Sequence, residues 1–431
     1  MAVVPTRHIS LSRAVFLIVA NVIGVGTFTT TGYVLGEVLS RETTLLVWSI
    51  GGVIALCGAL SYGALAKLIP ESGGEYLFLS KMFHPVFGCI AGWVSLLVGF
   101  TASIALCAYA LGVFIQPLFP WLDSRVIASV MVLIAAQVLS LKANRGVKAL
   151  GYVVILKLAL LTVFIIAGGL IISVEPSQGM RDIQDVGLSN AALASVMVYF
   201  GYSGWNAVIY IADEVKNPDR NLYKATVLGT LLIIALTLIL NTIILYSGDA
   251  GELINRLDVF QIVGHRIGGN VFKWLVGTVV MLALCSSLSA MIMMGPRVYA
   301  KMAEDGYLPG WLSSGRHGFS TSVWFQAAIA VVMLWSGTYQ QLMTYAGYTL
   351  GISCMMTISG LIRWKLNDPD NISIPFWPYA PCLFLLINGV ITIYVVWCAP
   401  LYSLLGLIPF AAGIISWYLK ERNTPKTMIS R

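Results

Sequence analysis

Charged residues are scarce in this sequence. Asp, Glu, Lys and Arg make up 10% of its 431 residues, whereas they make up about a quarter of a soluble domain. Hydrophobic residues make up 58%, and the mean hydropathy is +0.84. The apolar runs exceed the roughly 18 residues that a helix needs to cross a bilayer, and the alternating pattern of a membrane barrel does not occur. The composition excludes a soluble protein and predicts an all-α integral membrane protein.

Groups that usually perform catalysis are also scarce. The four histidines are scattered among loops on both predicted faces, and they do not form a catalytic cluster with Asp or Glu. The seven cysteines lie in or at the ends of apolar segments, so we expect no disulfide framework. No ATP-binding motif occurs, so any transport must use gradients or exchange. These absences argue against an enzyme and predict neither a cofactor nor a metal site.

Twelve apolar segments are long enough to be transmembrane helices. We number them as spans one to twelve. They cover residues 11–36, 45–68, 86–115, 124–141, 147–173, 191–212, 222–247, 271–297, 319–336, 341–366, 378–398 and 401–419.

The distribution of basic residues predicts the orientation. Most of the 26 Lys and Arg residues fall in alternate loops and in the C-terminal tail, and such residues collect on the cytoplasmic side. We therefore expect a multi-pass protein of the cell (inner) membrane with both termini in the cytoplasm. The net charge of +7 is then a topology signal and not a sign of a nucleic-acid partner. We expect span one to stay in the mature protein, since it is too long for a signal peptide.

Two spans carry helix-breaking residues at mid-depth. Span one contains "NVIGVGTFTTT", with Gly24 and Gly26 near its centre, and span six contains "FGYSGWN", with Gly201, Ser203 and Gly204. Glycine disfavours a helix interior, and interrupted helices at matching positions are typical of transporters built from inverted repeats. The two segments therefore predict a pair of broken helices.

Close helix packing is the alternative explanation of such clusters. Small residues often mark helix contacts in membranes, as Gly32 and Gly36 would at GxxxG spacing. Either cluster alone leaves both interpretations open, but packing does not predict two clusters exactly five helices apart. The match favours two inverted five-helix halves, residues 1–173 and 191–366, followed by helices eleven and twelve with the tail at 378–431.

A pair of broken helices offers a definite binding chemistry. Unwinding frees backbone N–H groups on one half-helix and carbonyl groups on the other, and both are costly in hydrocarbon unless a ligand binds them. An amino acid zwitterion is complementary, since its carboxylate suits the N–H groups and its ammonium suits the carbonyls. Main-chain groups would then bind what all amino acids share, and side chains would select the substrate.

Four motifs carry a resemblance to a known family. The stretches "NVIGVGTF", "IPESGGEYLFLSKMFHPVFG", "FGYSGWNAVIYIADEVKNPDRNL" and "PRVYAKMAEDGYLP" resemble the amino acid, polyamine and organocation (APC) transporter superfamily in order and spacing. The resemblance covers essentially the first ten helices and is nearest to the L-type amino acid transporters and proton-coupled bacterial members. It implies the LeuT fold, with a 5+5 inverted repeat plus two extra helices.

The resemblance also implies a substrate site. Its substrate-binding residues would be Val22, Ile23, Val25, Gly26, Thr27, Phe200, Gly201 and Ser203. The backbone of the first-span motif would bind the carboxylate, and carbonyls from both breaks would bind the ammonium. Phe200 occupies the position of an aromatic lid in the family. The chain departs from the family at Val25, where a small residue is usual, and at Thr27, where Ile is common.

Lys157 is the one basic residue predicted at the bilayer centre. It lies about ten residues into span five, roughly 15 Å deep at 1.5 Å per residue. A central lysine costs at least about 2.5 kcal/mol, and no Asp or Glu lies near the centre of any span to pair with it. We therefore expect hydroxyl or carbonyl neighbours. The alternative to a functional role is a lysine that only holds neighbouring helices together.

The resemblance assigns a coupling role to this lysine. In proton-coupled members a lysine amine at this position replaces a sodium ion, and Cys285, Ser286 or Ser287 of span eight would face it. Desolvation disfavours the ammonium form, so the amine could exchange a proton during transport. The interpretation is sodium-independent transport, with Lys157 either carrying a proton or acting as a fixed cation in an exchanger.

The leading function is secondary transport of amino acids across the bilayer, coupled to a proton or a counter-substrate. Neutral amino acids are favoured because no acidic side chain is found near the two breaks. The alternatives are an obligate exchanger, a carrier of cationic amino acids or polyamines, and a nutrient sensor that binds without transporting. A membrane-embedded enzyme would need a clustered set of catalytic residues, which this sequence lacks. No nucleic-acid partner is expected.

Overall fold

The computed structural model of the chain describes residues 7–141, 146–172, 186–313, 316–368 and 374–423. Within these residues the chain is almost entirely helical, and one isolated bridge between Ile9 and Val215 is the only extended pairing. The predicted all-α class is confirmed. The predicted inner loop around 142–145, most of the outer loop at 174–190 and the tail beyond 423 lie outside the described residues.

The first half of the chain forms nine α-helices. They are α1 (Leu11–Val22), α2 (Val25–Thr29), α3 (Thr31–Val38), α4 (Arg41–Leu68), α5 (Gly74–Met82), α6 (Pro85–Val94), α7 (Ser103–Ile115), α8 (Ser124–Leu141) and α9 (Gly146–Gly169). A π-helical segment, Ser95–Ala102, joins α6 to α7, so that span three is continuous. The segment "SGGEYLFLSKMF", for which the sequence predicts a short cytoplasmic helix joining spans two and three, forms the short helix α5.

The second half forms nine more. They are α10 (Leu188–Gly201), α11 (Pro218–Ser247), α12 (Ala250–Leu253), α13 (Val259–Glu304), α14 (Arg316–Ser336), α15 (Tyr339–Asn367), α16 (Tyr379–Cys398), α17 (Pro400–Gly406) and α18 (Ile408–Asn423). A 3-10 segment, Ala207–Glu214, follows α10 in the chain. Helix α13 contains two non-helical residues, Gly268 and Gly269, near its outer end.

Nine helical segments in the described part of the chain are long and apolar enough to cross a membrane. They coincide with nine of the predicted spans. The other three, spans four, five and six, coincide with shorter apolar helices at 124–140, 155–169 and 188–201. Each of the twelve predicted segments thus contains helix within the described residues, whereas the twelve transmembrane helices stay a prediction.

The arrangement of the helices separates an inner group from an outer shell. Helix α11 packs along α4 and α1, and α10 packs against α3, α4 and α15. Large apolar side chains on the peripheral helices are exposed, as expected for surfaces that face lipid. Examples are Ile166, Val332, Ile393, Trp397 and Leu401. The helices that carry the two glycine clusters consequently lie at the centre of the molecule.

Candidate functional site

The first glycine cluster breaks span one. Helix α1 ends at Val22 and α2 begins at Val25, and Gly24 between them has φ −146° and ψ −138°, which is not helical. The Val22 carbonyl accepts hydrogen bonds from the Gly24 N–H at 2.7 Å and from the Thr27 hydroxyl at 3.0 Å. The threonine that replaces the family's common isoleucine thus bridges the interruption. The expectation of a broken helix is confirmed here.

The second cluster breaks span six. Helix α10 ends at Gly201, and Gly204 has φ +105°, a conformation that L-residues rarely adopt. A Cβ atom on Gly204 would lie 2.3 Å from the Asn21 amide nitrogen, which donates to the Gly204 carbonyl at 3.5 Å. This turn requires glycine both for its backbone conformation and for the approach of α1. Both predicted breaks therefore exist.

The two breaks touch each other. A Cβ atom on Gly26 would lie 2.8 Å from the Cα of Gly201, and a Cβ on Gly201 would lie 2.6 Å from the Trp48 ring. At these two positions the small residues also permit close packing, so the two interpretations of the glycine clusters are not exclusive. The N-terminus of α2 consequently lies against the C-terminus of α10 in the buried centre.

The predicted substrate residues lie around this contact. Val22, Ile23, Val25, Gly26, Thr27, Phe200 and Gly201 are buried, and Ser203 is half-buried. Three of the four predicted ammonium-binding carbonyls accept hydrogen bonds from within the chain. These are Val22, as described above, Ile23, from Lys157, and Phe200, from the Ser203 N–H at 2.9 Å. The first turn of a helix leaves its N–H groups without intrahelical partners, and in α2 this turn holds Val25, Gly26 and Thr27.

A cavity of about 410 Å³ extends from the second break. Asn21, Ser203 and Gly204 line its inner part, and Ser203 is the one predicted substrate residue that lines it. Its other end lies between Glu214 and Arg297, which form an ion pair at 3.7 Å and are partly exposed. The backbone of Glu214 pairs with that of the N-terminal segment. The cavity therefore opens on the side of the molecule that carries residues 7–10.

The opposite side of the breaks is closed by aromatic residues. The rings of Tyr33 and Tyr339 stack at 5.3 Å, and the Tyr339 hydroxyl lies 2.5 Å from that of Thr29 on α2. Beyond them lies a separate cavity of about 530 Å³, lined by Tyr33, Tyr109 and Arg256 among others. The two cavities have no lining residue in common among the described residues.

Lys157 lies directly against the first break. Its side chain is 1% exposed, and its amine donates to the carbonyls of Ala20, at 2.8 Å, and Ile23. These are carbonyls that the end of α1 leaves without intrahelical donors. The predicted carbonyl neighbours are confirmed. An ammonium at a helix C-terminus also interacts favourably with the helix dipole.

The predicted coupling residues of span eight, Cys285, Ser286 and Ser287, lie on α13, which packs against α9. Ser286 and Ser287 are buried and Cys285 is half-buried, all on α13. The Ser287 hydroxyl lies 2.6 Å from the position that a Cβ on Gly24 would take, so Ser287 faces the first break. The Lys157 amine donates its hydrogen bonds to the carbonyls of Ala20 and Ile23 and not to these side chains.

Glu75 is a functional candidate that the sequence analysis missed. The expectation that no acidic side chain lies near the breaks is wrong, since the Glu75 carboxylate is 3% exposed, lines the 410 Å³ cavity and lies 3.5 Å from the Asn206 amide. Glu75 follows Gly73 and Gly74, whose φ values of +141° and +56° turn the chain back into the protein. Those two glycines were the available signal, but the sequence predicts only a short cytoplasmic helix for this segment and no buried side chain.

The chain is similar to a known family and to several named transporters. The sequence profile of the family described as amino acid permease matches residues 9–424. The "Large neutral amino acids transporter small subunit 2" of Rattus norvegicus is 26% identical over 433 aligned residues, which cover 96% of this chain and 80% of that protein. The human "Cystine/glutamate transporter" is 24% identical, with 96% and 85% covered. The "Asc-type amino acid transporter 1" of Mus musculus is also 24% identical, with 97% and 82% covered.

Proposed function

The chain belongs to the amino acid permease family, and we propose that it is a sodium-independent secondary transporter that moves amino acids by alternating access. Family membership and the apolar helices support a multi-pass membrane transporter that is not an enzyme. The proposal adds the mechanism. The observation that carries it is the contact between two broken helices, with the Lys157 amine bound to the carbonyls of one of them.

The proposed architecture is a LeuT-type fold of twelve transmembrane helices. Residues 1–173 and 191–366 would form inverted halves, and 378–431 would add the last two helices and a cytoplasmic tail. Two breaks at matching positions, touching through Gly26 and Gly201, support this arrangement. With both termini in the cytoplasm of a cell (inner) membrane, the 410 Å³ cavity would open inward.

The proposed substrate site is the junction of the breaks. The N–H groups of Val25, Gly26 and Thr27 would bind the substrate carboxylate, because they begin α2 and lack intrahelical partners. The ammonium would bind carbonyls of the two breaks. Since Ile23 is already bound by Lys157, the Gly201 carbonyl is the best placed of the predicted four. Phe200 would cover the substrate, and Ser203 would line its path to the cavity.

Neutral amino acids are the proposed principal substrates. The name of the rat relative, a transporter of large neutral amino acids, supports this choice. The argument from a lack of acidic residues near the breaks no longer does, since Glu75 lies there. Cationic amino acids and polyamines therefore stay alternatives.

Lys157 would replace sodium, with Cys285, Ser286 and Ser287 around the same place. Its positive charge would stabilise the carbonyls at the end of α1, as a bound metal cation would. The favoured coupling is to a proton, released and taken up by the amine. The alternative is obligate exchange, in which Lys157 stays charged throughout the cycle.

The test is uptake of labelled amino acid into sodium-free proteoliposomes. Preloaded vesicles are compared with empty vesicles that carry an inward proton gradient. Uptake in both conditions is expected for a proton symporter. Uptake only into preloaded vesicles would show that the protein is an obligate exchanger. A requirement for sodium contradicts the proposal. Binding without any uptake or counterflow, across all amino acids, would favour a sensor.

A further inference from the structure

Glu75 is a buried carboxylate without a cationic partner. No Lys, Arg or His nitrogen within the described residues lies within 4.0 Å of its oxygens. Buried charged groups in proteins are usually paired with an opposite charge or bind a metal or ligand. This one lies on the wall of the 410 Å³ cavity. The unmatched charge therefore requires an explanation.

Neutral donors hold the carboxylate in place. The Tyr62 hydroxyl donates to Oε1 at 2.8 Å and the Ser353 hydroxyl to Oε2 at 2.7 Å, while the Cys354 thiol lies 3.4 Å and the Asn206 amide 3.5 Å from Oε1. Hydrogen bonds of this kind stabilise an anion and fix its position, but they do not neutralise it. Oε2, with one such partner, keeps an acceptor site for a further donor.

Three of the other charged residues that line the cavity are paired, and the fourth, Asp213, is partly exposed and has no cation within 4.0 Å among the described residues. Glu214 and Arg297 pair at 3.7 Å, and Lys301 pairs at 3.1 Å with Asp305, which lies outside the lining. Lys157 donates its hydrogen bonds to carbonyls of α1 and does not line this cavity. Among the described residues that line the cavity, Glu75 is consequently the one buried acidic side chain.

A second, independent group points to a ligand at the same place. The Tyr199 side chain is 8% exposed and lines the same cavity, and its hydroxyl oxygen has no hydrogen-bond partner within the described residues. A buried polar atom without a partner is destabilising unless a ligand or water supplies one. Tyr199, Glu75 and Cys354 all line this cavity, and the Tyr199 oxygen can accept a hydrogen bond from an N–H donor.

We propose that Glu75 and Tyr199 form a side-chain subsite that binds an ammonium or guanidinium group at the end of an amino acid side chain. The substrate's common part would lie at the junction of the breaks, and a long cationic side chain would extend along the cavity to Glu75. Aromatic faces such as that of Trp205, which line the same cavity, also favour a cation. The subsite thus adds cationic amino acids to the neutral substrates of the proposed transporter. This inference rests on the proposed function.

The test compares ligands that differ in charge but hardly in shape. Binding of arginine and of citrulline, its uncharged analogue, is measured on the purified protein by competition against a labelled neutral substrate. The wild-type protein is expected to bind arginine at least as tightly as citrulline. Glu75→Gln should lower the ratio of arginine to citrulline affinity at least 10-fold, which corresponds to about 1.4 kcal/mol. Glu75→Asp should keep most of the preference.

Two further variants make the result specific. Glu214→Gln removes the same charge from the mouth of the same cavity, where it is paired, and should leave the arginine to citrulline ratio within about twofold of wild type. Tyr199→Phe removes only the acceptor oxygen and should lower the ratio several-fold. It also serves as the test if Glu75→Gln fails to fold.

Three outcomes contradict the subsite. They are a wild-type preference for citrulline, an unchanged ratio in both Glu75→Gln and Tyr199→Phe, and an equal loss in Glu214→Gln. If leucine and other neutral amino acids bind but arginine does not, the subsite is wrong and the proposed function stands. If no amino acid binds at all, the proposed function itself fails.

Discussion

Replacing Lys157 with methionine removes the amine but keeps an unbranched side chain of similar length. In the wild-type protein the amine donates to the Ala20 carbonyl at 2.8 Å and to that of Ile23, at the end of α1. Lys157→Met leaves both carbonyls without this donor and removes the positive charge at the first break. The variant therefore tests the charge without opening a large cavity.

The effect on stability is expected to be small because two terms oppose each other. A hydrogen bond from a charged donor contributes about 1.5 to 3 kcal/mol, so the two bonds contribute about 3 to 6 kcal/mol. Burying a lysine at the membrane centre costs at least about 2.5 to 3.5 kcal/mol, which the variant no longer incurs. The net destabilisation is then about 0 to 3 kcal/mol. In a chain of 431 residues this lowers Tm by a few degrees.

The effect on transport is expected to be much larger. If the Lys157 charge holds the broken helix in its binding conformation, the variant should lose at least 10-fold in sodium-free uptake while it remains folded. The assay is initial-rate uptake into proteoliposomes, with Tm measured on the same preparation. Lys67→Met is the matched control, since that lysine is exposed and its amine lies 4.3 Å from the Tyr223 ring centroid.

One result would refute this reasoning. If Lys157→Met transports within twofold of wild type, with a Tm within a few degrees, then the lysine only joins neighbouring helices. The sodium-replacement role would be wrong. A loss of transport shared equally by Lys67→Met would also contradict it, because the loss would then reflect lysine removal in general.

Two further predictions concern the breaks. Gly204→Ala should cost about 1 to 3 kcal/mol of stability and lower uptake strongly, because φ is +105° and the new Cβ would lie 2.3 Å from the Asn21 amide. The control is Gly99→Ala, which lies in the same cavity and has nothing within 4 Å of its Cβ position. Equal behaviour of the two variants would argue against a strained turn at Gly204. Thr27→Val should cost about 0.5 to 1.5 kcal/mol and weaken substrate binding, because the bond to the Val22 carbonyl at 3.0 Å is lost. Thr27→Ser should restore both in thermal-shift and binding assays, and a Thr27→Val protein with wild-type affinity would show that the bridge is dispensable.

The broken helices and the environment of Lys157 were predictable from the sequence. Glycines near the middle of two apolar segments carry a local signal, since only a break or a close contact explains them, and the structure has both at Gly26 and Gly201. A lysine in the middle of a span without an acidic partner must bind carbonyls or hydroxyls. Both inferences use local chemistry and the thickness of the bilayer alone.

The position of Glu75 was not predictable in the same way. Whether a residue between two spans faces water or returns to the interior depends on the backbone turn at Gly73 and Gly74 and on partners distant in sequence, such as Ser353. Hydrophobicity indicates only how deep a segment lies. The engagement of the Val22 and Ile23 carbonyls by groups of the chain also depends on tertiary contacts that no local pattern contains.

The central claim is that the junction of the two breaks binds an amino acid. An experimental structure with a bound neutral amino acid tests it most directly. The account predicts carboxylate oxygens about 2.7 to 3.2 Å from the backbone nitrogens of Val25 and Gly26, with the ammonium beside the Gly201 carbonyl. An amino acid bound instead in the 530 Å³ cavity, with its carboxylate on Arg256, would contradict the claim.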